Sequence, residues 1–159
     1  MTYKIKDFEN AMRKIVFAKL KIKYTVTDSE EYGTLEAITN YSNDNEGRLM
    51  IWKGASDETI FSRPAYNWMF RAWHDHHHVK RQYAFNEQGE YDVFKEQVKD
   101  VDTYIRPLDE ALADYMIMLL DAEVNGQVQA FLKDGAFISD QKQFAIDFVS
   151  KKYNKRISV

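Results

Sequence analysis

Residues 64–78, PAYNWMFRAWHDHHH, predict a helix whose apolar stripe runs directly into a cluster of histidines. Apolar side chains recur at the three- and four-residue spacing of one helical face, namely at Tyr66, Met69, Phe70 and Trp73. Pro64 suits the first helical turn, because the backbone N–H that proline lacks has no partner there. The pattern stays helical from this stretch onward, which predicts a mainly helical C-terminal part.

Three more helices are expected after this one. Gly89 interrupts the pattern, and a new apolar stripe follows it at Tyr91, Phe94, Val98, Val101 and Ile105. Residues 107–133 predict one long helix, which is apolar nearly all round in its middle and is therefore expected at the centre of the fold. Ser139 or Asp140 is expected to cap the last helix.

The first 60 residues predict a mixture of helix and strand. Residues 7–20 have the spacing of an amphipathic helix, and residues 22–27 alternate apolar and polar side chains as a half-buried strand does. Two β-prone runs, 34–39 and 49–52, flank a polar segment and predict a hairpin, although residues 30–40 are also compatible with a helix.

These elements together predict a single α+β domain over residues 1–159. We expect a small N-terminal antiparallel sheet with a helix in the mixed part, residues 1–60. A helical part over residues 62–153 is expected to follow it.

The composition excludes several classes of protein. The chain has 159 residues, of which 45% are apolar and 14% aromatic, as in a folded globule, and its net charge is −3. No basic stripe marks a nucleic-acid interface, so nucleic acid is not an expected partner; a DNA-binding role is a third hypothesis, which would require the lysines to gather on one face. There is no cysteine, so a metal ion would need His, carboxylate, amide or water ligands.

Neither export nor membrane insertion is predicted. Residues 1–6 contain no apolar run that resembles a signal peptide. The longest apolar run, residues 115–120, is far shorter than the roughly 20 residues that span a bilayer. We therefore expect a cytoplasmic protein.

The histidine cluster predicts a metal site. All four histidines lie within residues 74–78, and on a helix His78 lies about 40° from His74, so both can approach one ion. His77 or Asp75 is a candidate third ligand, whereas His76 points to the opposite face. The i, i+4 spacing is that of HExxH metalloproteases, but here the acid is Asp75, one methylene shorter than glutamate. Packing or a polar network would be the alternative role of the cluster.

Carboxylates from other helices would complete such a site. Glu90 follows Gly89, and a tight turn there could return it toward the histidine helix; a favourable interaction with the helix dipole is the alternative explanation. Glu123, with Gln127 one turn later, continues the apolar stripe of the long helix, where a carboxylate is costly unless it is paired or coordinated. Gly126 is plausible where another helix or a ligand approaches closely.

Several known site architectures do not fit. An HD phosphohydrolase needs histidine and aspartate ligands elsewhere in the chain, and no histidine occurs outside residues 74–78. A ferritin-like di-metal site needs Glu-x-x-His units on two helices, but only one helix carries histidine. Covalent and Walker-type chemistries lack a Cys nucleophile, a G-x-S-x-G turn and a Gly-rich phosphate loop.

Four short motifs together resemble those of one protein group. They are His74-Asp75-x-x-His78, Phe85-x-x-x-Gly89-Glu90, Glu123-Val124-x-Gly126-Gln127 and Asp140-Gln141-x-x-Phe144. The combination is similar to a group of small uncharacterised bacteriophage proteins and covers residues 64–149. The resemblance implies a viral protein that acts in the cytoplasm of a bacterial host, and it supplies no activity.

The leading hypothesis is a divalent-metal-binding protein, with zinc favoured over manganese or iron. His74 and His78 would bind the ion with Glu90 and Glu123 as further ligands, and Asp75 or Glu123 would act as general base in a metal-dependent hydrolase. The alternative is a non-catalytic virion component or host-factor-binding protein, in which the histidines are structural. Ligand count separates the two, since an open position favours hydrolysis. The sequence identifies neither the substrate nor the host partner.

Overall fold

Helices build most of the computed structural model, which describes residues 2–159. The N-terminal helix α1, Ile5–Arg13, continues into a π-helical turn, π1, Lys14–Lys19. Strand β1, Tyr24–Thr27, helix α2, Leu35–Asp44, and strand β2, Leu49–Trp52, follow. Both strands found among residues 2–159 lie in this N-terminal part.

The C-terminal part forms four helical rods. They are α3, Pro64–Arg81; α4, Glu87–Tyr104; α5, Glu110–Leu120, joined through the π-helical turn π2, Asp121–Gly126, to α6, Gln127–Asp134; and α7, Gln141–Tyr153. Pro64 lies in the first turn of α3, and Asp140 caps α7 by accepting a hydrogen bond from the Gln143 backbone N–H. The predicted mainly helical C-terminal part is therefore confirmed.

The prediction of an antiparallel sheet is wrong. β1 and β2 pair in parallel, with Tyr24 opposite Leu49 and Thr27 opposite Trp52. Parallel strands need a crossover, and α2 supplies it over residues that the hairpin prediction assigned to a strand. The Thr34 hydroxyl caps α2 by accepting from the Ala37 N–H, so the helical alternative for residues 30–40 was the correct one.

The long helix predicted over residues 107–133 is interrupted. α5 begins only at Glu110, where the Asp109 carboxylate accepts from the Leu112 N–H, and π2 separates it from α6. A π-helical turn carries an extra residue within a helix and shifts the faces on either side of it. Gly126 ends this turn, and a Cβ there would lie 2.9 Å from the Phe148 ring, so the close approach of another helix at Gly126 is confirmed.

The core lies between α1, α3 and α5 and surrounds Trp73. Trp73 is fully buried, and its ring meets Phe70 edge-on with centroids 6.2 Å apart; Phe8 and Phe61 also pack against Phe70. The apolar stripe of α3 thus anchors that helix and leaves its next face turned toward α4. No helix among residues 2–159 is long and apolar enough to cross a membrane.

Gly89 determines how closely α4 approaches the loop before it. The Asn86 carboxamide caps the helix by accepting from the Gly89 N–H at 2.9 Å, which folds the first turn back over residue 84. A Cβ on residue 89 would lie 1.8 Å from the Ala84 carbonyl oxygen, a contact that backbone atoms cannot relieve by rotating. Glycine at this position is therefore required for the observed start of α4.

We expect Gly89→Ala to lower the free energy of unfolding by about 2 kcal/mol or more, because the loop backbone must move to relieve the clash. Urea denaturation followed by circular dichroism measures the effect. Gly33→Ala is the control, since its Cβ would approach only the Glu30 carbonyl oxygen, at 3.3 Å. Equal stabilities of the two variants would contradict the requirement for glycine at position 89.

Candidate metal centre

Two histidines and one glutamate meet between α3 and α4. His74 and His78 lie one turn apart on α3, with their Nε2 atoms 3.1 Å from each other. Glu90, in the first turn of α4, places one carboxylate oxygen 2.6 Å from the His74 Nε2 and the other 3.3 Å from the His78 Nε2. These three residues form a cluster that could hold a metal ion.

The loop between α3 and α4 brings Glu90 to the histidines. Gln82 adopts a left-handed conformation with φ 56° and ends α3, and four residues later Asn86 caps α4. Gly89 lets the first turn of α4 pack against this loop, as described above. Glu90, the next residue, then faces α3. This agrees with the tight turn at Gly89 that was expected to return Glu90 toward the histidine helix.

The second ring nitrogen of each histidine is already hydrogen-bonded. The Nδ1 of His78 donates to the Tyr83 carbonyl oxygen at 2.7 Å, and the Nδ1 of His74 pairs with the Gln97 side-chain oxygen at 3.0 Å. These acceptors keep the proton of a neutral imidazole on Nδ1, so its lone pair lies on Nε2. Both Nε2 atoms therefore present metal-ligating lone pairs toward the Glu90 carboxylate.

The electrostatics of the cluster favour a cation. Burial alone would lower the pKa of His74, but the hydrogen bond and the charge of Glu90 outweigh it and raise that pKa to about 9. Burial would raise the pKa of Glu90, but hydrogen bonds from His74 and His78 hold it well below its usual range. The cluster therefore favours a positive charge on the histidine side, which the Glu90 carboxylate compensates.

The spacing of the three atoms fits a small divalent ion. Ligands at the usual zinc distances of about 2.0–2.1 Å form a tetrahedron whose edges are about 3.3 Å. The distances of 3.1 and 3.3 Å from the His78 Nε2 to the other two groups already match such edges. The remaining edge, from His74 to Glu90, is a hydrogen bond of 2.6 Å and would need to lengthen by about 0.7 Å.

Solvent reaches the cluster from one side. The His78 side chain is fully buried, whereas 15% of the His74 side chain and 23% of the Glu90 side chain are exposed. Among residues 2–159 no fourth His or carboxylate joins the group. With three protein ligands, a bound zinc ion would have one ligand fewer than the four of a closed structural site.

His77, a candidate third ligand by sequence, contacts another group. Its Nε2 lies 2.7 Å from an Asp100 carboxylate oxygen, which also accepts from the Trp73 indole N–H at 2.8 Å. His77 and Asp100 are both buried, so this network ties α3 to α4 one turn away from the cluster. His76 lies outside both groups; burial, helped by the charges of His77 and Lys80, lowers its pKa to about 4.

Asp75 borders the cluster without belonging to it. It is half-buried, and its carboxylate has no hydrogen-bond partner in the described part of the chain. Burial raises the pKa of Asp75, whereas the charges of His74 and His78 oppose that rise. Asp75 is thus close enough to the cluster to respond to its charge.

Glu123, the other predicted carboxylate, lies on π2 and outside the ligating group. One of its oxygens accepts from the Gln127 side chain at 3.1 Å, and the other is buried with no partner among residues 2–159. Burial raises its pKa to about 8, against the opposing effect of the Gln127 hydrogen bond. Burial therefore favours the protonated form of the Glu123 carboxyl group.

Three groups at this site were not anticipated from the sequence: Gln97, Asp100 and the Tyr83 carbonyl. Gln97 and Asp100 follow Glu90 by seven and ten residues, which places all three on one face of α4. That spacing was a usable signal, because two polar residues on the buried stripe of a helix require partners. The Tyr83 carbonyl has no such signal, since its position depends on the loop conformation.

Comparisons with models of protein families, with curated proteins and with solved structures each found no match. The function is therefore inferred from the site itself.

We expect the stability of the protein to depend on pH through Glu123. Burial raises the pKa of Glu123 to about 8 in the folded state. The folded protein therefore keeps a proton on this carboxyl group, which the unfolded chain releases near pH 4.5. The free energy of unfolding should therefore fall as pH rises from about 4.5 to 8. Glu123→Gln should remove the part of this slope that Glu123 contributes and raise stability at pH 7 by on the order of 2 kcal/mol.

Urea denaturation at several pH values measures the slope. Glu58→Gln, at an exposed position, is the matched control and should retain the slope of the parent protein. A Glu123→Gln variant that is less stable than the parent at pH 8 would show that the carboxylate is ionised and paired.

Proposed function

We propose that the protein binds one divalent metal ion through His74, His78 and Glu90 and uses it for hydrolysis. One observation supports this above the others: two Nε2 atoms and a carboxylate converge, while both Nδ1 atoms are held by oxygen acceptors. Such outer hydrogen bonds fix the tautomer and orientation that a metal ligand needs. The proposed setting, a bacterial cell infected by a phage, rests only on the resemblance of short motifs.

Zinc is the proposed metal. Two imidazole nitrogens and one carboxylate are a common ligand set of catalytic zinc sites, and the same set also suits iron(II) and, with more oxygen ligands, manganese. The absence of cysteine removes the thiolate ligands that structural zinc sites most often use. Metal analysis distinguishes these ions directly.

Three protein ligands favour catalysis over a structural role. Catalytic zinc sites keep a position for water, whereas structural sites are closed by four protein ligands. A bound zinc ion lowers the pKa of such a water toward neutrality. The exposed side of His74 and Glu90 is the side from which water and substrate would approach.

Asp75 is the proposed general base. Its carboxylate borders the cluster and has no competing hydrogen bond in the described residues. In the proposed reaction the water oxygen bonds to the electrophilic atom of the substrate, and Asp75 accepts the proton that the water loses. The bond to the leaving group then breaks, and the leaving group keeps the electron pair and receives that proton.

A non-catalytic role is the second candidate, and an exposed apolar surface favours it. Phe131, Leu132 and Phe137, at the end of α6 and in the segment after it, expose 39%, 53% and 88% of their surface. Exposed apolar groups of this kind commonly mark contacts with another protein. In that case the metal would stabilise the α3–α4 pair, and a host protein would contact the apolar surface.

Metal content provides the first test. Protein prepared without an affinity tag should contain, or take up, close to one zinc ion per chain. His74→Ala, His78→Ala and Glu90→Gln should each lose it, because each removes one of three ligands. His76→Ala, on the same helix but outside the cluster, should keep it. Folded parent protein that binds no zinc, manganese or iron would refute the proposal.

The second test separates metal binding from catalysis. Asp75→Asn should reduce hydrolysis roughly a hundredfold or more with metal affinity unchanged, since it removes only the base. Gln97→Leu should weaken metal binding roughly 10- to 100-fold, because His74 loses the acceptor that orients it. Activity assays and competition with a metal chelator give the two quantities. Loss of metal in Asp75→Asn would assign that residue to the ligands instead.

A further inference from the structure

A cleft of about 680 Å³ opens beside the metal cluster, and Glu90 belongs to both. The start of α4, the turn π2, and helices α6 and α7 form its walls. Its volume is in the range that holds a small-molecule substrate. Because Glu90, a proposed metal ligand, also lines the cleft, a molecule bound there would lie beside the metal cluster.

The amide side chains of the cleft present oxygen atoms. The Asn125 amide nitrogen donates to an Asp121 oxygen at 2.9 Å, and the Gln129 amide nitrogen donates to a Glu87 oxygen at 3.1 Å. Carboxylates only accept hydrogen bonds, so both amide nitrogens must face them. The two amide oxygens remain, and neither has a donor among residues 2–159. These two side chains therefore offer acceptors to the cleft.

The charges of the cleft also favour a ligand that donates hydrogen bonds and carries no negative charge. Its lysine, Lys152, is bound to Asp121 at 2.6 Å, and Glu90 is compensated by His74 or by a metal ion. Glu87 forms no ion pair with any described residue and accepts only the Gln129 hydrogen bond, so one carboxylate in the wall has no side-chain cation as its partner. An anionic ligand would meet this carboxylate and find no uncommitted cation.

We propose that the cleft binds the primary ammonium group of a substrate, through Glu87 and the amide oxygens of Asn125 and Gln129. An ammonium group has three N–H donors and a positive charge, which match two amide acceptors and one carboxylate. The substrate class is then an amine-bearing molecule, such as a peptide with a free amino terminus, cleaved at the neighbouring metal. The assignment as substrate rests on the proposed function, whereas the binding itself does not require metal.

Two probes that differ only in the amino group test the proposal. Alanyl-alaninamide carries one ammonium group, and its N-acetyl derivative carries none. Their affinities are measured by NMR titration of the 159-residue protein, with and without zinc. The free amine should bind at least roughly tenfold more tightly than the acetylated probe, as expected for a charged hydrogen bond.

Matched variants locate the binding. Glu87→Gln should abolish the preference for the amine, whereas Glu36→Gln, another exposed glutamate in a first helical turn, should retain it. Gln129→Leu, also at an exposed position, should weaken binding of the amine several-fold. Circular dichroism checks that each variant is folded.

Several results would overturn the proposal: no binding of the amine at millimolar concentration, equal affinity for both probes, an unchanged preference in Glu87→Gln, or tighter binding of phenyl phosphate. The two proposals fail separately. Absence of metal binding with the amine preference intact refutes the hydrolase, and a metal-loaded protein without the preference refutes the cleft assignment.

Discussion

The convergence of two imidazole nitrogens and a carboxylate inside a helix pair is the constraint on which the site depends. The Nε2 atoms of His74 and His78 are 3.1 Å apart, and two lone pairs at that distance repel unless a proton or a metal ion lies between them or beside them. The Glu90 carboxylate favours the cation, and Gln97 and the Tyr83 carbonyl fix the rings. Every other part of the site follows from keeping these three groups together.

The fold keeps these three groups in place through buried contacts on both sides of the cluster. Trp73 and Phe70 anchor α3 in the core, and the Asp100 carboxylate joins α4 to both Trp73 and His77. A buried carboxylate is costly unless it is hydrogen-bonded, and Asp100 accepts from two donors. The polar contacts between α3 and α4 therefore fix their relative position more specifically than apolar packing alone would.

Much of the helical part was accessible from sequence, as were the N-terminal helix and the two strands, whereas α2 and the parallel pairing of the strands were not. Pro64 and the stripe ending at Trp73 locate α3, because spacing and a proline at the first turn report the same element. The strand predicted over residues 34–39 is wrong because three β-branched residues favour a strand there, whereas the three residues between them, Leu35–Ala37, favour a helix. Its helical state is decided by the Thr34 cap and by the parallel pairing of β1 with β2, which involves residues 25 apart in sequence.

The candidate site was predictable where one helix carries several of its groups. His74 and His78 share a face by spacing alone, and Gly89 indicated that the chain turns back before Glu90. The partner of His77 and the carbonyl that holds His78 depend on the relative position of two helices and on a loop, which no local pattern contains. The π-helical turn at Asp121–Gly126 was equally inaccessible, since its extra residue leaves no clear mark in the apolar spacing.

The site is also local in sequence, which bears on the order in which the chain folds. The three proposed ligands and the side chain and carbonyl that hold the histidines all fall within residues 74–97, in one helical hairpin. Closing so short a loop costs little chain entropy, and helical hairpins form faster than parallel strand pairs. We expect α3 and α4 to be able to capture an ion before β1 and β2 have met, so that the metal would act as a folding nucleus as well as a cofactor.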